Sequence, residues 1–259
     1  MNTLALGIRR GLIEQGSILR DGKELGANVA GLVIYLMLIL WIGGNPAGGG
    51  IGMTAFITVG FIAFTVFSAG ITTLPMLIAA DQEEGALRRL RTLPRGLPVY
   101  LTGRATSLVA HIALNSVLIL AIGNLAGGLA LPSSLYGWAT LTWVLLLGTL
   151  AVVPVGAMIG ALLPSAKTAA AVVSLPTMLL MIASGVMVPM TMMPEPVRWF
   201  AQVFPLYWQG HGLRAAFLPS AAAEPGGVWQ LGTAAAVMGA WAVAGMVLAP
   251  RLLRRAIRT

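Results

Sequence analysis

Met53–Ala80 reads MTAFITVGFIAFTVFSAGITTLPMLIAA, twenty-eight residues without one ionisable side chain, and the chain then turns abruptly to DQEEGALRRLR over 81–91. The apolar run exceeds the ~20 residues that carry an α-helix across a hydrocarbon core. A backbone in lipid has no water to bond and must satisfy itself, which a helix does. Five comparable stretches lie on either side: Gly26–Gly43, Ala105–Ala126, Gly137–Leu163, Ala169–Val188 and Trp229–Ala249. The sequence therefore predicts an all-α polytopic membrane protein, six transmembrane helices forming a single domain over residues 1–259.

Composition and charge placement agree. Hydrophobic residues make up 58% and charged residues 9%, against about 25% charged in a soluble globular domain. The net charge of +8 sits beside spans and not in a basic soluble domain, so it points to anionic lipid and topology and away from nucleic acid. Arg9, Arg10, Arg20 and Lys23 precede the first span; Arg88, Arg89, Arg91, Arg95 and Arg104 follow the second. Lys167 follows the fourth, and Arg251, Arg254, Arg255 and Arg258 follow the sixth. Only Arg198 and Arg214 lie on the other side. Fourteen against two places both termini in the cytoplasm and the chain in the cytoplasmic (inner) membrane. Trp41, Trp138, Trp143, Trp199, Trp208 and Trp229 fall at the opposite, outer boundary, where indoles prefer to sit; Trp241 falls inside the last span and is expected to pack. The chain has no cysteine, which excludes disulfides and thiolate metal sites. The first apolar run is longer than a signal-peptide core and reads as a retained span.

Outside the spans, residues 1–25 pattern as an amphipathic helix in the inner interface: Leu4, Ile8 and Leu12 recur every four residues, with Arg9, Arg10, Arg20 and Lys23 on other faces. Gly7, Gly11 and Gly16 weaken that helix. Gly44–Gly52 reads as a flexible turn. Pro75, Pro154 and Pro176 interrupt three spans and tend to kink them. Gly156 and Gly160 form a GxxxG pair, and Gly232, Ala236, Ala240 and Ala244 keep the same spacing; such stripes admit a close neighbour, in this chain or in a second copy.

Two segments carry the functional reading. In the cytoplasmic loop 81–103, the acids Asp81, Glu83 and Glu84 precede the bases Arg88, Arg89 and Arg91. That order suits the dipole of a short helix over Glu83–Arg91, with Glu84 and Arg88 as an i,i+4 pair. Pro94 ends it, Pro98 bounds the turn before the third span, and Leu87 and Leu90 form a small apolar ridge. The loop resembles the segment after the second span in ABC-2 type transporter permeases of the drug-resistance and antibiotic-exporter branch. The matching words are Glu84-Gly85-Ala86-Leu87, Arg88-Arg89-Leu90-Arg91, Thr92-Leu93-Pro94 and Tyr100-Leu101-Thr102-Gly103-Arg104. Asp81-Gln82 and Ala86 depart from the usual pattern. Residues 190–228 resemble the same family's outer region, through Trp199-Phe200 and Phe204-Pro205-Leu206-Tyr207-Trp208 to Leu213-Arg214-Ala215-Ala216-Phe217.

The resemblance implies a permease subunit that exports hydrophobic or amphipathic compounds, whether drug, antibiotic or lipid-like. It implies short re-entrant outer helices, with Phe200, Phe204, Tyr207, Trp208, His211 and Arg214 at an outer gate. It also implies a separate ABC ATPase, two copies beneath two permeases (a second copy or a paralogue), contacted through Glu83, Glu84, Leu87, Arg88, Arg89 and Arg91. ATP and Mg would be bound by that ATPase, since this chain has no phosphate loop: Gly160-Ala-Leu-Leu-Pro-Ser-Ala-Lys167-Thr168 lacks the required glycines. No cofactor and no metal site is expected in the chain, and no catalytic residue.

Ser107, His111 and Asn115 form a polar stripe on the third span, open to interhelical hydrogen bonding or to substrate contact. The alternative reading is an ion-coupled secondary transporter, which needs intramembrane carboxylates and repeat symmetry; neither is visible in the sequence. An intramembrane enzyme built on Ser107 and His111 lacks a nucleophile-elbow motif.

Overall fold

The computed structural model describes residues 2–48, 51–93, 95–218, 220–221 and 224–256. Six helices are long and apolar enough to cross a membrane: Gly22–Ile42, Met53–Glu83, Gly96–Gly127, Leu135–Leu162, Ala166–Ala183 and Leu231–Leu252. The protein is a multi-pass all-α membrane protein. In chain order the helices are α1 (Thr3–Ile18), α2 (Gly22–Ile42), α3 (Met53–Ser68), α4 (Leu74–Glu83), α5 (Ala86–Arg89) and α6 (Gly96–Gly127). After these come α7 (Leu135–Leu162), α8 (Ala166–Ala183), α9 (Glu195–Gln202), α10 (Pro205–Phe217) and α11 (Leu231–Ala256). Within the turn read over Gly44–Gly52, Pro46–Gly48 pairs antiparallel with Ile51–Gly52.

The second span is α3 and α4 joined through a π turn at Ala69–Thr73. The turn accommodates Pro75, which has no N–H to give and whose ring crowds the carbonyl four residues earlier. The widened turn is also where α7 docks. A Cβ at Gly156 would fall 1.7 Å from the Gly70 carbonyl oxygen, and one at Gly160 would fall 2.8 Å from Pro75 Cα. The GxxxG pair thus has its neighbour in the same chain. The other small-residue stripe does not: Gly232, Ala236, Ala240 and Ala244 all face outward, while Ala234, Met238, Ala242 and Ala249 are the buried side of α11. Around α7 gather α3, α4, α10 and α11, and the main core lies along those contacts.

The first span is peripheral. Of α2 only Tyr35 and Ile39 are buried, both in its outer half. Tyr35 Oη and Thr58 Oγ1 share a hydrogen bond of 2.8 Å, and a Cβ at Gly123 would lie 2.6 Å from that phenol oxygen. One tyrosine therefore pins α2 to α3 and α6.

Helix α1 is present, and its two faces divide between protein and surroundings. Its buried residues are Gly7, Gly11 and Gln15; a Cβ at Gly11 would fall 2.4 Å from the Gly103 carbonyl oxygen and one at Gly7 2.5 Å from Thr102 Cβ. The glycines are the docking surface against α6, and Leu4, Ile8 and Leu12 are exposed. Glycine costs helix propensity, yet backbone approach in lipid rewards it.

Replacing Gly156 by alanine should lower thermal stability in detergent by about 1–3 kcal/mol through overpacking. Gly232→Ala, where a Cβ meets open space, should be neutral or mildly stabilising. Equal melting temperatures for the two variants would contradict this packing.

Candidate functional site

At the inner end of the bundle the loop 81–103 differs from its sequence reading. Helix α4 runs to Glu83, Gly85 breaks it with φ +72°, and only Ala86–Arg89 and a 3-10 turn at Leu90–Thr92 follow. Arg95 takes φ +63°, and α6 then starts at Gly96, so Pro98 lies in its first turn and Arg104 on the helix itself. The acids therefore close a spanning helix and do not open a loop helix, and Glu84 and Arg88 are not on one continuous helix. The dipole argument fails here because a glycine that can go left-handed intervenes.

What holds Asp81 is Arg104. Its guanidinium donates to both Asp81 and Glu14, and Tyr100 Oη donates to Asp81 Oδ2 at 2.5 Å. Arg10 lies over the Tyr100 ring, 5.2 Å from its centre. Helices α1, α4 and α6 are thereby tied at one point. Counting Arg104 only as an inner-side charge concealed this role; the alternative signal was an aromatic and an arginine one helical turn apart, Tyr100 and Arg104.

Below that tie, Leu87 is buried in the core and fixes the loop to the bundle. Glu83, Glu84 and Arg89 are exposed. The Ala166 N–H donates to Glu83 Oε2 at 3.4 Å, a carboxylate placed at the start of α8 where the helix dipole favours it. Arg88 and Arg91 belong to the same turns, and their side chains lie outside the described residues. Ser165 caps α8 by accepting from the Thr168 N–H, the role left to the former phosphate-loop look-alike.

Ser107, His111 and Asn115 lie on one side of α6, as the spacing predicted. The bond found is within the helix: Asn115 Nδ2 donates to the His111 carbonyl at 3.0 Å and lies 3.2 Å from His111 Nε2. Ser107 and His111 line a cavity of about 240 Å³ beside α1, and His111 and Asn115 line a second of about 280 Å³ against α2 and α3. The two meet at His111, Ala69 and Thr73.

On the outer side, α9 and α10 form a helical hairpin. Its turn meets the middle of α11: Trp241 Nε1 donates to the Val203 carbonyl at 2.8 Å, and its ring stacks on Phe204. Helix α10 then runs along α7, with Gly148 beside Gln209 and Gly212 beside Val144. Tyr207 and Trp208 are 2% and 3% exposed, so they are interior side chains and not an interfacial face; Trp208 Nε1 donates to the Gln202 carbonyl at 2.6 Å. Phe200 is exposed and Phe204 half-buried.

His211 and Arg214 share a partner that their spacing did not reveal, Glu224. Arg214 donates to Glu224 through Nε and, at 3.2 Å, through Nη2, while its Nη1 donates to the Gly185 carbonyl at 3.1 Å. His211 Nε2 accepts the Gln230 N–H at 3.0 Å, so Nδ1 carries the ring proton and donates to Glu224 Oε2 at 2.8 Å. Tyr207, Trp208 and Trp229 surround the ring. Burial pushes the Glu224 carboxyl up, but the Arg214 charge and the hydrogen bonds outweigh it and bring it down to about 2.

Six apolar spans, an ion-tied inner base and a buried outer hairpin define a polytopic membrane protein of transporter type. The chain belongs to the ABC-2 type transporter family, whose profile matches residues 18–218. It is similar to the protein described as "Putative transport permease YvfS" of Bacillus subtilis (strain 168), with 26% identity over 149 residues. The match covers 58% of this chain and 60% of the relative's length.

Removing Glu224 leaves a buried guanidinium uncompensated, so Glu224→Ala should destabilise by about 3–5 kcal/mol, and Arg214→Met added to Glu224→Gln should recover much of the loss. Because the folded-state carboxyl lies below its ordinary 4.5, its contribution holds above about pH 4.5 and fades as pH falls towards 2. Thermal melts across pH check both; a double variant no better than the single would refute the pairing.

Proposed function

We propose that this chain is the permease subunit of an ATP-driven exporter that moves hydrophobic or amphipathic compounds (drug, antibiotic or lipid-like) out across the cytoplasmic membrane, with both termini cytoplasmic. The observation that carries the reading, beside family membership, is the Arg104 tie. The exposed edge of the loop, with Glu83, Glu84 and Arg89 and the adjoining Arg88 and Arg91, is joined through Leu87 and Asp81 to three helices at once. A push on that edge would move the bases of α1, α4 and α6 together. The pushing partner is an ABC ATPase, two copies binding ATP and Mg beneath a pair of permeases, either two copies of this chain or this chain with a paralogue. Ser107, His111 and Asn115 face the path. The α9–α10 hairpin re-enters the outer leaflet as a gate, with Phe200, Phe204, Tyr207, Trp208, His211 and Arg214 giving it its packing.

Reversing Arg88, Arg89 and Arg91 to glutamate tests the coupling. Three charge contacts at about 0.5–1 kcal/mol each should lower transport by roughly tenfold or more in vesicles holding permease and ATPase. Hydrolysis should then lose its dependence on permease. Undiminished transport together with undiminished ATPase association would sink the proposal.

A further inference from the structure

The two cavities that meet at His111 form one cleft within a single copy of the chain, and its chemistry changes along its length. Helix α2 buries only Tyr35 and Ile39 fully, with Leu32 and Leu36 partly buried against the core; residues 22–27 at its start are exposed, and the cavities open beside that part. The inner cavity is lined by Glu14, Gln15, Ser17, Glu24, Arg104 and Ser107, among others. The deeper one is walled by Leu32, Phe61, Phe64 and Ile119, with Asn28 and Asn115.

Charge in the inner cavity does not balance. Its lining holds two carboxylates and one guanidinium, and that guanidinium already serves Asp81 as well as Glu14. Among the described residues Glu24 has no ion-pair partner. Gln15 is 6% exposed, and neither its amide nitrogen nor its amide oxygen has a hydrogen-bond partner. A buried amide without partners costs roughly 1–3 kcal/mol, and a ligand head group would relieve that cost. The complementary ligand has a positive, hydrogen-donating head and an apolar body.

We propose that this cleft binds an amine-bearing amphiphile from the inner leaflet, its ammonium between Glu24 and the Gln15 carbonyl and its apolar part between Leu32, Phe61, Phe64 and Ile119. The inference names a cargo class for the Ser107–His111–Asn115 face and rests on the transport reading for its role as a loading site.

The test uses the full chain in lipid nanodiscs with a long-chain primary alkylamine carrying a diazirine near its tail, and the matching alcohol as a neutral control. Amine labelling should be saturable and should map to 28–32, 61–65 and 115–119. Glu24→Gln, a change at an exposed position, should weaken it by about tenfold, the loss of one charge-assisted hydrogen bond, and leave alcohol labelling within about twofold. Gln15→Leu should weaken both labels less and keep the chain folded, as judged by its melting temperature. Equal labelling by amine and alcohol, insensitivity to Glu24→Gln, or labelling elsewhere would overturn the site. Vesicles with the ATPase separate the two readings. Saturable binding without ATP-dependent amine transport keeps the site and removes its loading role. Transport that ignores Glu24→Gln keeps the exporter and removes the site.

Discussion

Apolar side chains gain little by leaving lipid for protein, so a bundle of this kind depends on how closely its backbones can meet. The contact that sets this distance is between Gly156 and Gly160 of α7 and the π turn before Pro75. Each part needs the other. Pro75 cannot donate to the helical ladder and crowds the carbonyl four residues earlier, the widened turn presents the Gly70 carbonyl to α7, and only a residue without a Cβ can lie against it. Once α7 is seated there, α3, α4, α10 and α11 have a common surface to pack on, and the outer hairpin acquires its bed.

Ionic contacts then fix the two ends of that frame. At the inner end one guanidinium holds two carboxylates and so joins three helices. At the outer end one carboxylate holds a guanidinium and a neutral imidazole, joining the hairpin to the start of the last span. At the outer site both Glu224 oxygens are hydrogen-bonded, which is the condition under which burying charge is tolerated; at the inner one Arg104 pairs through both terminal nitrogens, and its Nε is left without a partner. Their partners lie far apart in sequence at the inner base, Glu14 with Arg104, and close at the outer one, Arg214 with Glu224.

The spans were legible because length and hydropathy are properties of single segments. All six appear, most ends within five residues of the sequence reading; the exception is the start of α6, at Gly96 and not Ala105, because Pro98 fits a first turn as readily as it stops a preceding one. The GxxxG pair on α7 was visible too, though its neighbour was not. Faces were harder to read. Leu4, Ile8 and Leu12 marked the apolar face of α1 in the sequence, but Gly7 and Gly11, which counted only as weakening the helix, turn out to be its docking side, since periodicity identifies a face without saying whether lipid or protein lies against it. Tyr207 and Trp208 read as interfacial for the same reason. Glu224 and the Arg104–Glu14 pair were missed because no spacing rule connects residues on different elements. The stripe of Ser107, His111 and Asn115 was legible; the cleft beside it depends on where the start of α2 is exposed.

The hairpin's placement leaves it little freedom to move by itself. Among the described residues α10 is sealed on three sides, against α3, α7 and α11, and its turn is latched to mid-α11 by Trp241. The hairpin's other arm, α9, carries the exposed Trp199 and Phe200, so a neighbouring body in the membrane can reach the hairpin there without displacing a buried side chain.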